Sequence, residues 1–174
     1  MSAQGAGDAV PAGFFRRFAA LVYDALLVTA VLFLGTLLLL PLTGGEAITP
    51  QQSGPWELAY RGWIALLLGI FFGFSWTRRG QTLGMMSWKI RLQRLDGRLP
   101  GWRRALGRLV AGGVLAVCAL AGLVSLTRGS EAPAGTWGVM LLLPALADYL
   151  SMAFDPARRT LLDRLTGCRV VRTG

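Results

Sequence analysis

Residues Phe14 to Pro41 read FFRRFAALVYDALLVTAVLFLGTLLLLP: two arginines open a long apolar run, and a carboxylate, Asp24, is set inside it. A membrane-spanning helix needs roughly 20 mostly apolar residues, because the hydrocarbon core is about 30 Å thick and a helix rises about 1.5 Å per residue. The first span is placed at 18–40. Three further stretches meet the same requirement: roughly 58–77 (LAYRGWIALLLGIFFGFSWT), 109–127 (LVAGGVLAVCALAGLVSLT) and 136–154 (TWGVMLLLPALADYLSMAF). The first run is too long for the apolar region of a signal peptide, and it carries an acid, so it is kept as a span. Glycine and alanine fill much of the third, which allows close approach by a neighbour and puts it at the centre of the bundle.

Composition agrees. Of 174 residues, 53% are hydrophobic and only 16% charged, where a soluble domain carries about 25% charged. Mean hydropathy is +0.51. The expected fold is an all-α integral membrane domain, a four-transmembrane-helix bundle with a small cytoplasmic β-ribbon and short amphipathic helices. The net charge of +9 suits either nucleic acid or an anionic lipid surface; because the arginines flank spans, lipid headgroups are the expected partner and nucleic acid is not. There is no histidine, and the two cysteines, Cys118 and Cys168, lie in unlike contexts. Zinc, haem and Ser-His-Asp chemistry therefore lack their usual groups. No catalytic residue, metal ligand or cofactor is expected, and the chain is not read as an enzyme.

Orientation follows from the lysines and arginines between spans. Two lie in the N-terminal tail, nine in the connection 78–108 and five in the tail 155–174, leaving only Arg61 and Arg128 at the edges of the other two connections. The positive-inside rule then assigns both termini and the central connection to the cytoplasm. Trp56, Trp63, Trp76, Trp102 and Trp137 cluster near span boundaries, as interface-seeking rings do.

Within the central connection, SWKIRLQRLDG alternates Trp88, Ile90 and Leu92 with Lys89, Arg91 and Gln93, a strand period closed by an Asp-Gly turn. An isolated strand leaves its backbone groups unpaired. Pairing of Lys89–Leu95 with Cys168–Arg172 is therefore expected. Between Pro100 and Leu109, the spacing of Trp102, Ala105, Leu106 and Leu109 predicts an amphipathic helix at the headgroups, with Arg103, Arg104 and Arg108 facing lipid, unless those charges serve topology alone. Leu161, Leu162 and Leu165 predict a short helix stopped by Gly167. Residues 1–13 are small and polar enough to be disordered, and 14–172 form the membrane domain.

Three stretches together resemble the RDD family of small multi-pass bacterial membrane proteins, named for one arginine and two aspartates. RRFAALVYD resembles its opening, with Arg17 and Asp24. RRGQTLGMMSWKIRLQRLDG resembles its central Gly-x-Thr-x-Gly stretch, with Gly80, Thr82 and Gly84. RRTLLDRLTGCRVV resembles its closing motif, with Asp163 as the second aspartate. Met85 stands where the family often has lysine, and Cys168 where it often has threonine. The resemblance covers Pro11 to Arg172 and implies a bacterial plasma (inner) membrane protein. It also implies transport of a cation or small solute, suggested for some members; the alternative is a non-transporting scaffold that binds anionic lipid or a cytoplasmic partner.

The spacing of the acids narrows the question. Seven residues turn a helix through about 700°, so Arg17 and Asp24 share a face about 10 Å apart along the axis. A carboxylate near the bilayer centre costs about 2.5–3.5 kcal/mol, which several leucines at roughly 0.5 kcal/mol each offset. Asp148 lies at a matching depth in the last span, four residues after Pro144. Arg17, Asp24 and Asp148 are therefore the candidate binding residues of a cytoplasm-facing polar site, with Tyr23 or Tyr149 as hydroxyl partners; two close carboxylates there would share a proton or hold a cation. The competing reading pairs Asp24 with an arginine such as Arg78 or Arg79 for assembly alone. For Asp148 the competing reading is a water-facing or tyrosine-bonded acid. Asp163 is expected to tie the tail to Arg17 or to the central connection. A transporter with four spans is expected to form a homo-oligomer.

Overall fold

The structure, a computed structural model, describes residues 10–43, 55–127 and 134–173. The expected disorder of residues 1–9 and the placement of Arg128 lie outside the described residues. Four helices are long and apolar enough to cross a membrane, and the chain is a multi-pass membrane protein. Helix α1 runs Phe14–Leu39 and tightens into a 3₁₀ turn, Leu40–Thr43, where Pro41 lacks the N–H that would extend the ladder. The second span starts with proline, as helices tolerate at their first position: α2 is Pro55–Leu68, a six-residue π segment covers Gly69–Phe74, and α3 is Ser75–Arg78. The first two spans meet where Gly35 lacks a side chain: Trp63 Nε1 donates to its carbonyl at 3.1 Å, and Thr36 and Tyr60 share a hydroxyl bond at 3.1 Å.

After α3 the chain leaves the bundle through α4, Leu83–Ser87, and strand β1, Ile90–Arg94. It returns through α5, Trp102–Thr127, and α6, Ala134–Phe154, which stays helical through Pro144. A last short helix, α7, Leu161–Thr166, leads to β2, Cys168–Arg172. Helices α5 and α6 meet backbone to backbone: a Cβ on Gly122 would lie 2.7 Å from the Gly138 carbonyl oxygen, and one on Gly138 would lie 3.0 Å from that of Gly122. Small residues at a helix crossing serve this purpose in membranes, where burial in water-excluding cores supplies no drive. Helix α5 also touches the π segment, α3 and α7, the central position its small residues predicted.

The ribbon forms within narrower bounds than the expected Lys89–Leu95: Lys89 takes a positive φ of 52°, which ends the extended backbone there, and Trp88 and Leu95 are exposed. β1 pairs antiparallel with β2, from Ile90 opposite Arg172 to Arg94 opposite Cys168, and Ile90 and Leu92 turn fully inward. Gly97 takes a positive φ of 81° in the Asp-Gly turn.

Three expectations need correction. Val10–Gly13, assigned to a disordered tail, is ordered: Pro11 bridges to Val171, the Ala12 N–H donates to Val170 O at 3.0 Å, and the Arg172 N–H donates to Val10 O at 2.9 Å. The open edge of β2 is thereby covered, as an unpaired strand edge demands. The separate amphipathic helix at 100–109 does not exist as such; residues 102–109 are the first two turns of α5, because nothing between Trp102 and Leu109 breaks the helical ladder. Finally, the second span is not one uniform α-helix. Its π segment opens beside Gly73, where the Trp102 ring packs so closely that a Cβ would lie 2.5 Å from it.

The buried core lies outside the oily midsection. Ala12, Ala20, Trp76, Met85, Ile90, Leu92, Ala105, Cys168 and Val170 cluster where the ends of the spans meet the ribbon. Large apolar side chains such as Leu26, Phe33, Leu38 and Val117 point outward, which suits lipid rather than water as their solvent. Four spans thus share one tightly packed end, called the cap below.

Candidate functional site

At the base of the bundle, the polar side chains singled out in the sequence fall into two clusters. The first centres on Arg17, in the first turn of α1. Only 7% of its surface is exposed. Its Nε donates to Ala12 O at 3.1 Å, one terminal nitrogen to Asp163 Oδ2 at 2.5 Å, and the other to Arg158 O at 2.9 Å and Val170 O at 3.3 Å. One guanidinium therefore joins α1, the ordered N-terminal edge, the turn before α7, and β2. The planar, always-charged fork of arginine suits this task; an ammonium would not span the same set.

Asp163 is fully buried and receives a second guanidinium: Arg108 approaches its Oδ1 at 2.7 Å. Arg108 also lies over the Trp76 ring, 6.0 Å from its centroid. Burial alone would push the Asp163 carboxyl up, but Arg108 and Arg17 outweigh it and hold the group below the usual carboxylate range. Local sequence fixes the acid in place. Thr160 caps α7, accepting from the Asp163 N–H at 3.1 Å, while Asp163 accepts from the Thr160 N–H at 3.4 Å, a reciprocal capping box. Gly167, at φ 61°, ends the helix in the left-handed conformation.

The second cluster answers for Asp24. Its carboxylate accepts from the Thr82 hydroxyl and, at 2.9 Å, from the Gly84 N–H. Thr82 in turn caps α4, accepting from the Met85 N–H at 3.2 Å. The carboxylate thus sits against the N-terminus of α4, where free N–H groups and the helix dipole favour negative charge. Contact this close needs glycine: a Cβ on Gly84 would lie 2.5 Å from Ala20 O and 2.8 Å from Asp24 Oδ1. Gly80, at φ 69°, makes the turn out of the second span, and its carbonyl takes the Leu92 N–H at 2.7 Å. The spacing Gly80, Thr82, Gly84 is therefore one device: a left-handed turn, a cap and a close approach.

Asp148 does not join Asp24. Its Oδ1 accepts from the Leu162 N–H at 2.7 Å, at the start of α7. The expected pocket of two facing carboxylates with Arg17 at its rim is replaced by three separate engagements, because free N–H groups at helix starts satisfy a buried carboxylate without a second charge. Neither Arg78 nor Arg79 pairs with Asp24; Arg78 lies 5.7 Å from the Phe74 ring centroid. Tyr23 turns outward, and Tyr149 packs its ring edge-on against Phe14 at 5.5 Å.

Of the three arginines assigned to lipid, Arg103 and Arg104 are exposed, but Arg108 is turned inward to Asp163. The reason is helical phase: Arg108 shares the inward side of α5 with Ala105, one of its buried residues. Sequence reasoning missed this, although Ala105 at a spacing of three was the available signal. Just outside the spans, Asp155 accepts from the Arg159 backbone N–H and Nε at 2.9 Å each, which pulls its carboxyl down to about 2. Burial pushes the Cys168 thiol up, away from reactivity.

All three aspartates of the base thus hold short helices against the bundle, a chemistry of anchoring. Among known proteins, the model of the RDD family matches residues 11–167. No curated protein and no solved structure matches significantly. The matched stretch runs from the ordered N-terminal edge to the glycine that ends α7 and takes in Arg17, Asp24 and Asp163: the chain belongs to the RDD family.

Proposed function

We propose that this protein is a non-transporting, non-enzymatic membrane scaffold of the bacterial inner membrane. Its cap and both termini face the cytoplasm, as the arginine count requires, and the exposed arginines of the cap lie on acidic headgroups. One observation carries the reading: each carboxylate near the base of the spans is already committed, Asp24 to Thr82 and Gly84, Asp148 to Leu162, Asp163 to two guanidiniums. An ion carrier working through Asp24 or Asp148 would compete with the donors that already hold them, and one working through Asp163 would break a buried charge pair, which costs about 3–5 kcal/mol.

The test is reconstitution into sealed vesicles. The purified protein is expected to leave an imposed proton or sodium gradient at the leak rate, and to prefer phosphatidylglycerol over phosphatidylcholine around Trp102, read by quenching with brominated lipids. That preference is expected to weaken with salt and in Arg103→Gln/Arg104→Gln. A gradient dissipated by the wild type and preserved by a folded Asp24→Asn variant would reverse the reading in favour of cation transport, with oligomeric state the next measurement.

A further inference from the structure

A cleft of about 660 Å³ opens at the rim of the cap, between the first turn of α1, the turn at Pro156–Arg158 and the end of β2. Three arginines line it, Arg16, Arg158 and Arg172, and among the described residues no acid does. Among the described residues none of the three has a carboxylate partner; Arg16 donates to the Trp88 carbonyl at 3.1 Å, and the nearby Asp155 is taken by Arg159 and Arg164. Like charges gathered without a counter-charge call for an anion.

The wall is built rather than incidental. Arg158 adopts a positive φ of 49°, unusual for a residue with a side chain, and its carbonyl is held there by Arg17 at 2.9 Å. That backbone lays its guanidinium over Gly13, where a Cβ would lie 3.5 Å from Arg158 Nη1. The first turn of α1 carries no acid and no side-chain cap, so its partial positive charge adds to the three arginines.

We propose that this cleft binds the phosphate of one anionic membrane lipid, a discrete site that rests on the reading of the cap as a surface for acidic headgroups. Phosphate is the anion that several guanidiniums clasp best. The volume falls in the range of about 300–1,000 Å³ typical of small-molecule sites. Lipid rather than free phosphate is favoured by what adjoins the cleft. Phe15, which lines it, is 83% exposed and begins a stripe of outward apolar residues, Phe15, Phe18, Val22 and Leu26, that descends α1 toward the hydrocarbon. A headgroup seated among the arginines leaves its acyl chains along that stripe.

Native mass spectrometry of the detergent-purified protein tests the site. With phosphatidylglycerol added against equal phosphatidylcholine, one phosphatidylglycerol per chain is expected to be retained. Retention is expected to fall roughly tenfold or more in Arg158→Gln/Arg172→Gln, to recover in part in Arg158→Lys/Arg172→Lys, and to be unchanged in Arg61→Gln, an exposed arginine away from the cap. Circular dichroism on each variant checks that the cap stays folded. Equal retention by the folded glutamine variant overturns the discrete site while leaving the general preference around Trp102 intact. Loss of phosphatidylglycerol preference in both assays overturns the surface reading as well. Displacement by inorganic phosphate as effective as by the lipid overturns the lipid assignment and leaves a phosphate site.

Discussion

Asp163 faces two arginines with one charge, so its removal is worse than the loss of a single pair. In Asp163→Ala, Arg17 and Arg108 remain buried beside each other without a counter-charge, and the expected loss is at least about 3–5 kcal/mol, measured by denaturant unfolding in micelles. Asp24→Asn should be milder. The amide oxygen still accepts from Gly84, so a loss of about 1–2 kcal/mol is expected, and Gly84→Ala should cost more than this because its Cβ meets the Ala20 carbonyl at 2.5 Å. Acid sensitivity follows from the same groups. Asp155, at about 2 when folded against an ordinary 3.8, stabilises the folded state fully above roughly pH 5, and that contribution is lost as pH falls toward 2. The Asp163 carboxyl is also lowered, so it acts in the same direction. Unfolding midpoints recorded from pH 7 down to 2.5 should therefore decline, and decline less steeply in Asp155→Asn.

Helices and strands pose a different question, since each must be told apart from its neighbours by sequence period and then placed by contact. The alternation reports a strand from Ile90 on because both edges of β1 find partners, β2 on one side and Gly80 on the other. The leucines and Gly167 mark α7 in the sequence, and the structure adds the capping box of Thr160 and Asp163 that opens it. The π segment is otherwise. It exists beside the Trp102 ring, which belongs to a helix nearly thirty residues away, so hydropathy over 58–77 gives no sign of it. Crossing of α5 and α6 rests on Gly122 and Gly138. Gly122→Val is expected to force the pair apart, costing about 1–3 kcal/mol, whereas Gly113→Val, with open space around it, should stay near wild type. Thermal unfolding of the two variants in micelles decides between these outcomes.

As a whole, the molecule is tied at one end and open to lipid along its length. The cap carries the buried core and the ion pairs of Asp163, while the spans beyond it, joined at Gly35 and at the Gly122–Gly138 crossing, turn their large apolar side chains to the bilayer. Stability should then divide accordingly. Deleting residues 1–12 removes the edge that covers β2 and the Ala12 carbonyl that holds Arg17; amide exchange is expected to quicken at Arg172, whose N–H donates to Val10 O, while amides in the middle of α5 and α6 stay protected. Sequence alone determined the four spans, the ribbon and the last short helix, because hydropathy, alternation and capping are sums over neighbouring residues. Only the tertiary structure decided which partner each buried charge takes. For Asp163 the sequence offered Arg17, 146 residues away, or the central connection, and folding brings it both Arg17 and Arg108; Asp24 and Asp148 had equal claim on one another until the N-termini of α4 and α7 came within reach. A charge placed in low dielectric is satisfied by whatever donor folding brings to it, and that choice depends on the positions of all the elements at once.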